Sequence, residues 1–278
     1  MMAQTNPSSA LWILTGIVVS ANSHNQPLLN RAPSNFECNS DKEIIVSAAA
    51  SLSSSFKEIG HKFEQANPGT KVRFNFGGSG VLKSQIQLGA PVEVFASASE
   101  TEPDALIAGG ILDKRSRSEF ASNSLVLICL KSKLTRTWND LTTSKVMRIA
   151  ISNPNSVPSG RYAREALQHK SIWDKVRGKL ILGRDVKQTL TYVLNGDVDA
   201  GLVFRTDTAD NMDRLKIVST AQSGIDHSPI RYVAASSPNS MEGRSFVQFL
   251  RTRVSQSIFK KYGFATVSSL PAHNSKRK

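Results

Sequence analysis

The sequence predicts an α/β protein of two lobes, in which mixed sheets are flanked by helices. Apolar runs typical of buried strands alternate with segments whose apolar residues recur at the helical period. This alternation occurs in two successive runs, which meet near residue 124, and such a pattern favours sheets covered by helices. A chain of 278 residues suits one large or two modest domains. We expect lobe 1 to comprise residues 43–124 and 230–270, and lobe 2 to comprise residues 125–229.

The first run begins with segment 43–50, whose nearly continuous apolar character is typical of a buried parallel strand. A helix is predicted next, because four apolar residues recur at helical spacing and share one face. These residues are Leu52, Phe56, Ile59 and Phe63. The dipeptide Pro68-Gly69 ends that helix. The run continues with predicted strands at 71–76 and 91–97, a short helix that includes Leu82 and Ile86, and a helix at 102–110.

The second run has the same alternating character. Its predicted strands are 125–131, 146–152, 179–183, 199–204 and 214–219, and its predicted helices are 161–169 and 185–196. The chain is then expected to return to lobe 1 with a strand at 230–236 and one long closing helix over 244–264. The apolar face predicted for that helix consists of Val247, Leu250, Val254 and Ile258.

Both ends of the chain differ from this body. The apolar stretch at 10–21 is shorter than the roughly 20 residues that a membrane span needs, so we interpret residues 1–21 as a signal peptide and expect export. No Lys or Arg precedes that stretch, which departs from the usual signal pattern. Residues 22–42 are polar and predict a linker, and residues 271–278 form a basic tail.

The composition narrows the class of ligand. The formal net charge is +13, which attracts anions. The basic residues are scattered and no nucleic-acid-binding motif accompanies them, so the sequence argues against nucleic acid as a partner. The chain has 2 Cys and 5 His, without metal-ligand spacing, so no metal or cofactor is predicted. No pattern joins a nucleophile to a base, and we expect a binding protein rather than an enzyme.

The stretch "FNFGGSGVLKSQ" at 74–85 resembles a phosphate-gripping loop but fits none of the specific motifs. Leu82 stands where a Walker loop needs Gly before Lys83. Ser79 nevertheless opens a predicted helix directly after a strand, as do three other positions. These are Ser51, Ser159 and Val186. Such junctions present free amides and the positive end of a helix dipole, so the residues alone leave two interpretations open: an anion-binding cleft or ordinary helix caps.

Five motifs in unbroken order resemble the molybdate-binding protein of ABC importers. They are "VSAAASLSSSF", "GGSGVLKSQIQLGAPVEVFASAS", "NPNSVPSGRYAREAL", "RDVKQTLTYVLNGDVDAGLVFRTDTA" and "FLRTRVSQSIFKKYGF". The similarity extends over about residues 43–265. It implies a hinged periplasmic-binding-protein fold of type II, with a tetrahedral dianion held in the cleft between the lobes by hydroxyls and backbone amides.

The resemblance also assigns roles to particular residues. It implies that Ser51 and Ser79 bind the oxyanion through their hydroxyls, and that Ser159 and Val186 donate backbone amides. The fifth contact in the family is a tyrosine hydroxyl, and the matching position here is Phe204, which has no donor. Ser159 stands where alanine is common and adds a hydroxyl, whose contribution the sequence leaves open.

We therefore expect an extracytoplasmic, monomeric solute-binding protein that captures molybdate or tungstate and delivers it to an ABC permease subunit in the membrane. The sequence leaves two alternatives open. One is the same fold with another oxyanion, such as sulfate or phosphate, because the sequence gives no cavity radius. The other is a basic protein that binds polyanions.

Overall fold

The structure is a computed structural model that describes residues 42–266. The predicted signal peptide and the basic tail lie outside the described residues. So does the predicted linker, including Cys38, apart from its last residue, Lys42. Within the described residues, none of the helices has the length and apolar character needed to span a membrane.

Strands and helices alternate along the described residues. The strands are β1 (Lys42–Ala49), β2 (Thr70–Gly77), β3 (Val94–Ser97), β4 (Ser118–Ser122), β5 (Leu125–Leu130), β6 (Ile149–Ser152), β7 (Leu180–Gly183), β8 (Ala200–Phe204), β9 (Leu215–Thr220), β10 (Arg231–Ser236) and β11 (Ala265–Thr266). The helices are α1 (Ser53–Ala66), α2 (Ser79–Gln87), α3 (Thr101–Ala108), α4 (Pro158–His169), α5 (Trp173–Val176), α6 (Val186–Asn195), α7 (Met241–Phe249) and α8 (Arg253–Lys261).

These strands form two mixed sheets, one in each lobe. The first has the order β11-β4-β10-β3-β1-β2 and the second has the order β7-β6-β8-β5-β9. The chain passes from the first sheet to the second at 123–124 and returns over 221–230. The predicted α/β fold with two lobes is confirmed.

Parallel pairing on one side of each sheet brings strand ends together. In the first sheet β1 lies parallel to β2 and β3, with Ala49 opposite Gly77. In the second sheet β6 lies parallel to β7 and β8. Because parallel strands share a direction, the loops that follow them emerge at one edge, which is where ligands bind in sheets of this kind.

Lobe 1 has an aromatic core around Phe56 of α1. Four other phenylalanine rings have centroids 5.8–6.3 Å from it. They are Phe74, Phe120, Phe246 and Phe259. Tilted and edge-on contacts of this kind stabilise a core beyond the simple burial of area, and here they join α1, β2, β4, α7 and α8.

Lobe 2 is built around β5, whose residues Leu125–Cys129 are fully buried. Cys129 is a free thiol within this strand, and burial raises the pKa of that thiol. The residue therefore behaves as a small apolar core residue.

The prediction of one long closing helix is wrong, because the structure has two helices there, α7 and α8. The helix ends at Phe249, and α8 begins at Arg253 with Thr252 as its N-cap, whose side chain accepts a hydrogen bond from Ser255 N–H. The break changes the helical phase, so Val254 is 46% exposed rather than buried on the predicted face. The N-cap preference of threonine, which satisfies an amide at a helix start, accounts for the break.

Candidate functional site

A small cavity lies where the carboxyl ends of strands from both sheets face each other. The five residues that the family resemblance assigns to a site all line it: Ser51, Ser79, Ser159, Val186 and Phe204. Its volume is about 10 Å³, which is the space of roughly one water-sized sphere. A cavity this small has no room for a sugar or an amino acid.

Lobe 1 contributes Ser51 and Ser79, each at the start of a helical segment. Ser51 lies in the short 3₁₀ helix Ala50–Leu52 that joins β1 to α1, and its Oγ is 2.9 Å from the hydroxyl oxygen of Tyr232. Ser79 is the first residue of α2. Its Oγ accepts a hydrogen bond from Ala98 N–H at 3.3 Å, so the hydroxyl proton of Ser79 remains available to a ligand.

Lobe 2 contributes Ser159, which follows Pro158 in the first turn of α4. The Ser159 hydroxyl donates to Ser152 Oγ at 2.8 Å, and Ser152 is in turn 3.0 Å from Thr189 Oγ1. The side chain of Ser159 is therefore engaged inside lobe 2 rather than directed at the cavity. Only its backbone amide, which as part of the first turn has no partner within the helix, is suited to a ligand.

Val186 is the first residue of α6, and Asp185 caps that helix. The Asp185 carboxylate accepts a hydrogen bond from Gln188 N–H at 2.9 Å and lies 3.5 Å from Arg184 Nε. Asp185 lines the cavity beside the amide of Val186, which stands at the start of a helix, where free amides and the helix dipole favour an anion.

Phe204 ends β8 and is only 1% exposed. Its ring lies between two tyrosine rings, with centroids 6.3 Å from Tyr162 and 6.1 Å from Tyr232. The sequence analysis did not identify Tyr232 as part of the site. The only available signal was a large ring with a polar end in the small-residue strand "RYVAAS".

Charged side chains near the cavity are paired with one another. Arg161 of α4 donates to Glu102 of α3 at 2.7 Å and to Ser99 Oγ at 3.0 Å. Burial raises the pKa of the Asp207 carboxyl, and Lys187 Nζ, at 2.9 Å, opposes that shift. Arg161 is therefore a link between the lobes and does not line the cavity.

The glycines of the 74–85 stretch allow the lobes to approach closely. A Cβ on Gly80 would lie 2.6 Å from the carbonyl oxygen of Ser156, and Gly80 N–H donates to that same oxygen at 2.9 Å. A Cβ on Gly78 would lie 2.9 Å from Val157. Neither residue has a positive φ, so the absence of a side chain, rather than a special backbone conformation, explains these glycines.

Residues 42–266 contain no group of three or more His, Cys, Asp or Glu side chains arranged to hold a metal ion.

The two tyrosines beside Phe204 already have protein partners. The Tyr162 hydroxyl donates to the Ala98 carbonyl at 3.4 Å, and burial raises the pKa of both phenols, which keeps them protonated.

Comparison with known proteins places these features in a family. Residues 44–265 match the family described as bacterial extracellular solute-binding protein. Over 224 residues the chain is 34% identical to YvgL of Bacillus subtilis, a protein provisionally named an ABC transporter substrate-binding lipoprotein, with 80% of this chain and 85% of YvgL covered. Over 232 residues it is 30% identical to the molybdate-binding protein ModA of Escherichia coli, with 80% and 88% covered.

The fold has a solved counterpart of similar size. The periplasmic molybdate-binding protein of Azotobacter vinelandii superimposes with a TM-score of 0.71 at 25% identity, covering 82% of this chain and 99% of that one.

The ion pair between the lobes predicts a loss of stability on substitution. Arg161→Ala leaves the Glu102 carboxylate, whose side chain is 4% exposed, without its cation. We expect the free energy of unfolding to fall by about 2–3 kcal/mol, because an uncompensated buried charge is costly. Denaturant unfolding measures this loss, with Arg164→Ala on the same helix as the control. Adding Glu102→Gln should restore part of the loss, and equal effects of the two arginine substitutions would contradict the interpretation.

Proposed function

The chain belongs to the family of bacterial extracellular solute-binding proteins that serve ABC transporters, and we propose that it captures molybdate or tungstate. Binding takes place outside the cytoplasmic membrane, and the loaded protein delivers the ion to a permease subunit. The ion is cargo rather than a cofactor, and it is released without chemical change.

The observation that carries this proposal is the convergence of neutral donors from both lobes on one small cavity. Ser51 and Ser79 offer hydroxyl groups, and the first turns of α4 and α6 offer the amides of Ser159 and Val186. A fully deprotonated tetrahedral oxyanion has acceptors only, so it matches a cavity that supplies donors. Helix N-termini are suited to such anions because free amides and the helix dipole act together.

Neutral donors suffice for a dianion of this size. A micromolar dissociation constant corresponds to only about −8 kcal/mol, and a hydrogen bond to a charged group contributes about 1.5–3 kcal/mol. The four donors named above together contribute about 6–12 kcal/mol on this scale, a range that includes the requirement.

The contacts between the lobes support delivery by closure. Gly80 N–H donates to the Ser156 carbonyl, and Arg161 bonds to Glu102, across the boundary between the lobes. An ion that contacts both lobes favours the closed arrangement over an open one, since only the closed arrangement completes its coordination. The permease then distinguishes loaded from empty protein by the arrangement of the lobes.

A panel of oxyanions tests the proposal directly. We expect molybdate and tungstate to raise the unfolding temperature and to give saturable calorimetric titrations, with an added stability of about 2.7 kcal/mol at a hundredfold excess over the dissociation constant. Sulfate and phosphate should have much smaller effects at equal concentration. Preference for sulfate or phosphate would indicate a different cargo. Salt-sensitive DNA binding without a response to any of the four ions would favour a polyanion-binding protein.

The close approach of the lobes generates a second prediction. Gly80→Ala places a methyl group against a backbone oxygen, and we expect molybdate affinity to fall about tenfold or more, because contact between packed backbones cannot relax cheaply. Isothermal titration measures the loss. Gly178→Ala is the matched control, since no atom lies within 4 Å of its added Cβ. Wild-type affinity in Gly80→Ala would show that binding does not need this approach.

Phe204 generates a third prediction. Phe204→Tyr adds a hydroxyl at the edge of the cavity, and we expect oxyanion binding to tighten by about tenfold, consistent with one further hydrogen bond to a charged group. Competition titration against the wild-type protein measures the change. Unchanged affinity would mean that the added hydroxyl does not reach the ion.

A further inference from the structure

Tyr232 connects the candidate cavity to a buried chain of hydrogen bonds. It lies on β10, is fully buried, and its hydroxyl oxygen is 2.9 Å from Ser51 Oγ. The same oxygen accepts a hydrogen bond from Asn123 Nδ2 at 3.2 Å. A chain of hydrogen bonds thus runs from Ser51 at the cavity through Tyr232 to Asn123, at the first crossover between the lobes.

The contacts of Asn123 determine the direction of this chain. Its Oδ1 accepts from Ser124 N–H at 2.8 Å, and its Nδ2 also donates to Thr206 Oγ1 at 2.8 Å. Reversing the amide would place two donors against each other at Ser124. The amide nitrogen therefore faces Tyr232 and donates to it. Because the Tyr232 oxygen already accepts this bond, its own proton is available for Ser51.

Burial raises the pKa of the Tyr232 phenol, so the group keeps its proton and remains a donor at neutral pH. With Ser51 Oγ accepting from Tyr232, the Ser51 proton is not needed within the protein. Ser51 also lines the cavity, and its proton then has one remaining direction, towards a ligand. Chains of hydrogen bonds in a low-dielectric interior strengthen one another.

The Ser79 hydroxyl oxygen also accepts a hydrogen bond from within the protein, but from a backbone amide rather than from a tyrosine. Its oxygen accepts from Ala98 N–H, so its proton also faces the cavity. Ser159 has the opposite polarity, because its hydroxyl donates to Ser152. An internal donor behind the oxygen therefore distinguishes the two serine hydroxyls that are suited to an anion from the Ser159 hydroxyl, which is not.

We propose that Tyr232 is a positioning residue for the oxyanion: it donates to Ser51 Oγ and so directs the Ser51 proton at the bound ion. This inference rests on the proposed function of the cavity. It also identifies a phenolic hydroxyl that supports the site in this protein, in which position 204 is Phe. Tyr232 supplies a phenolic hydroxyl from lobe 1 that acts through Ser51, whereas a hydroxyl at position 204 would belong to lobe 2.

A double-mutant cycle tests the proposal. Tyr232→Phe removes the hydroxyl and keeps the ring, and we expect molybdate to bind about tenfold more weakly by calorimetry. In a Ser51→Ala background the same substitution should change affinity by less than about twofold, because the group through which Tyr232 acts is absent. Tyr262→Phe is the matched control, since it removes a hydroxyl that bonds to Glu58 on a surface away from the cavity.

Two results would overturn the inference. One is unchanged affinity in Tyr232→Phe, and the other is an equal loss in the presence and absence of the Ser51 hydroxyl, which would indicate a general structural role. Circular dichroism establishes that each variant is folded. If Tyr232→Phe does not fold, Asn123→Ala replaces it in the cycle, with a loss of about threefold expected and no loss overturning the proposal.

The same titrations separate this inference from the proposed function. If the unaltered chain binds none of the four oxyanions, both fail together. If it binds molybdate or tungstate and Tyr232→Phe binds equally well, the proposed function stands and only the role of Tyr232 is rejected.

Discussion

Whether a hydroxyl that faces the cavity can donate to a ligand depends on the hydrogen bonds that its oxygen and proton already make within the protein. A hydroxyl has one proton, and an internal acceptor takes that proton away from a ligand, as Ser152 does for Ser159. An internal donor has the reverse effect, as Ala98 N–H does for Ser79. In a cavity of neutral groups this direction decides whether a serine attracts an anion or presents lone pairs to it. The supporting contacts outside the cavity therefore matter as much as the residues that line it.

The same constraint explains why the lobes must meet closely. The first turns of α2 and α4 belong to different lobes, and free amides attract an ion only over a short distance because they carry partial charges. Gly78 and Gly80 remove the side chains that would separate these turns, and the Gly80 amide bonds directly to Ser156. The Glu102–Arg161 pair adds a second contact beside them. In the proposed function, closure of the lobes and assembly of the donor set are thus one structural event.

Local patterns in the sequence predicted those parts of the structure that local physics determines. The apolar periods of α1 and α6 and the buried run of β5 were recognisable, and each strand-to-helix junction placed a candidate residue near the cavity. β4 was missed because "SEFAS" is short and half polar. The break at Thr252 was missed because the apolar period continues through it. The Ser51–Tyr232 contact joins residues 181 positions apart, and no local signal reports such a pairing or the direction of its proton.

The net charge of +13 and a cavity whose donors are neutral groups are compatible because they act over different distances. Three cations near the cavity are paired with carboxylates: Arg161 with Glu102, Lys187 with Asp207, and Arg184 with Asp185. Such pairs contribute little net field at the cavity, so in the proposed function the ion is held by oriented hydroxyls and amides. The unpaired basic surplus acts at long range, where it raises the rate of encounter with anions and is screened by salt. Selectivity among ions of equal charge must then arise from the size and donor geometry of the closed cavity, since the surface charge attracts all of them alike.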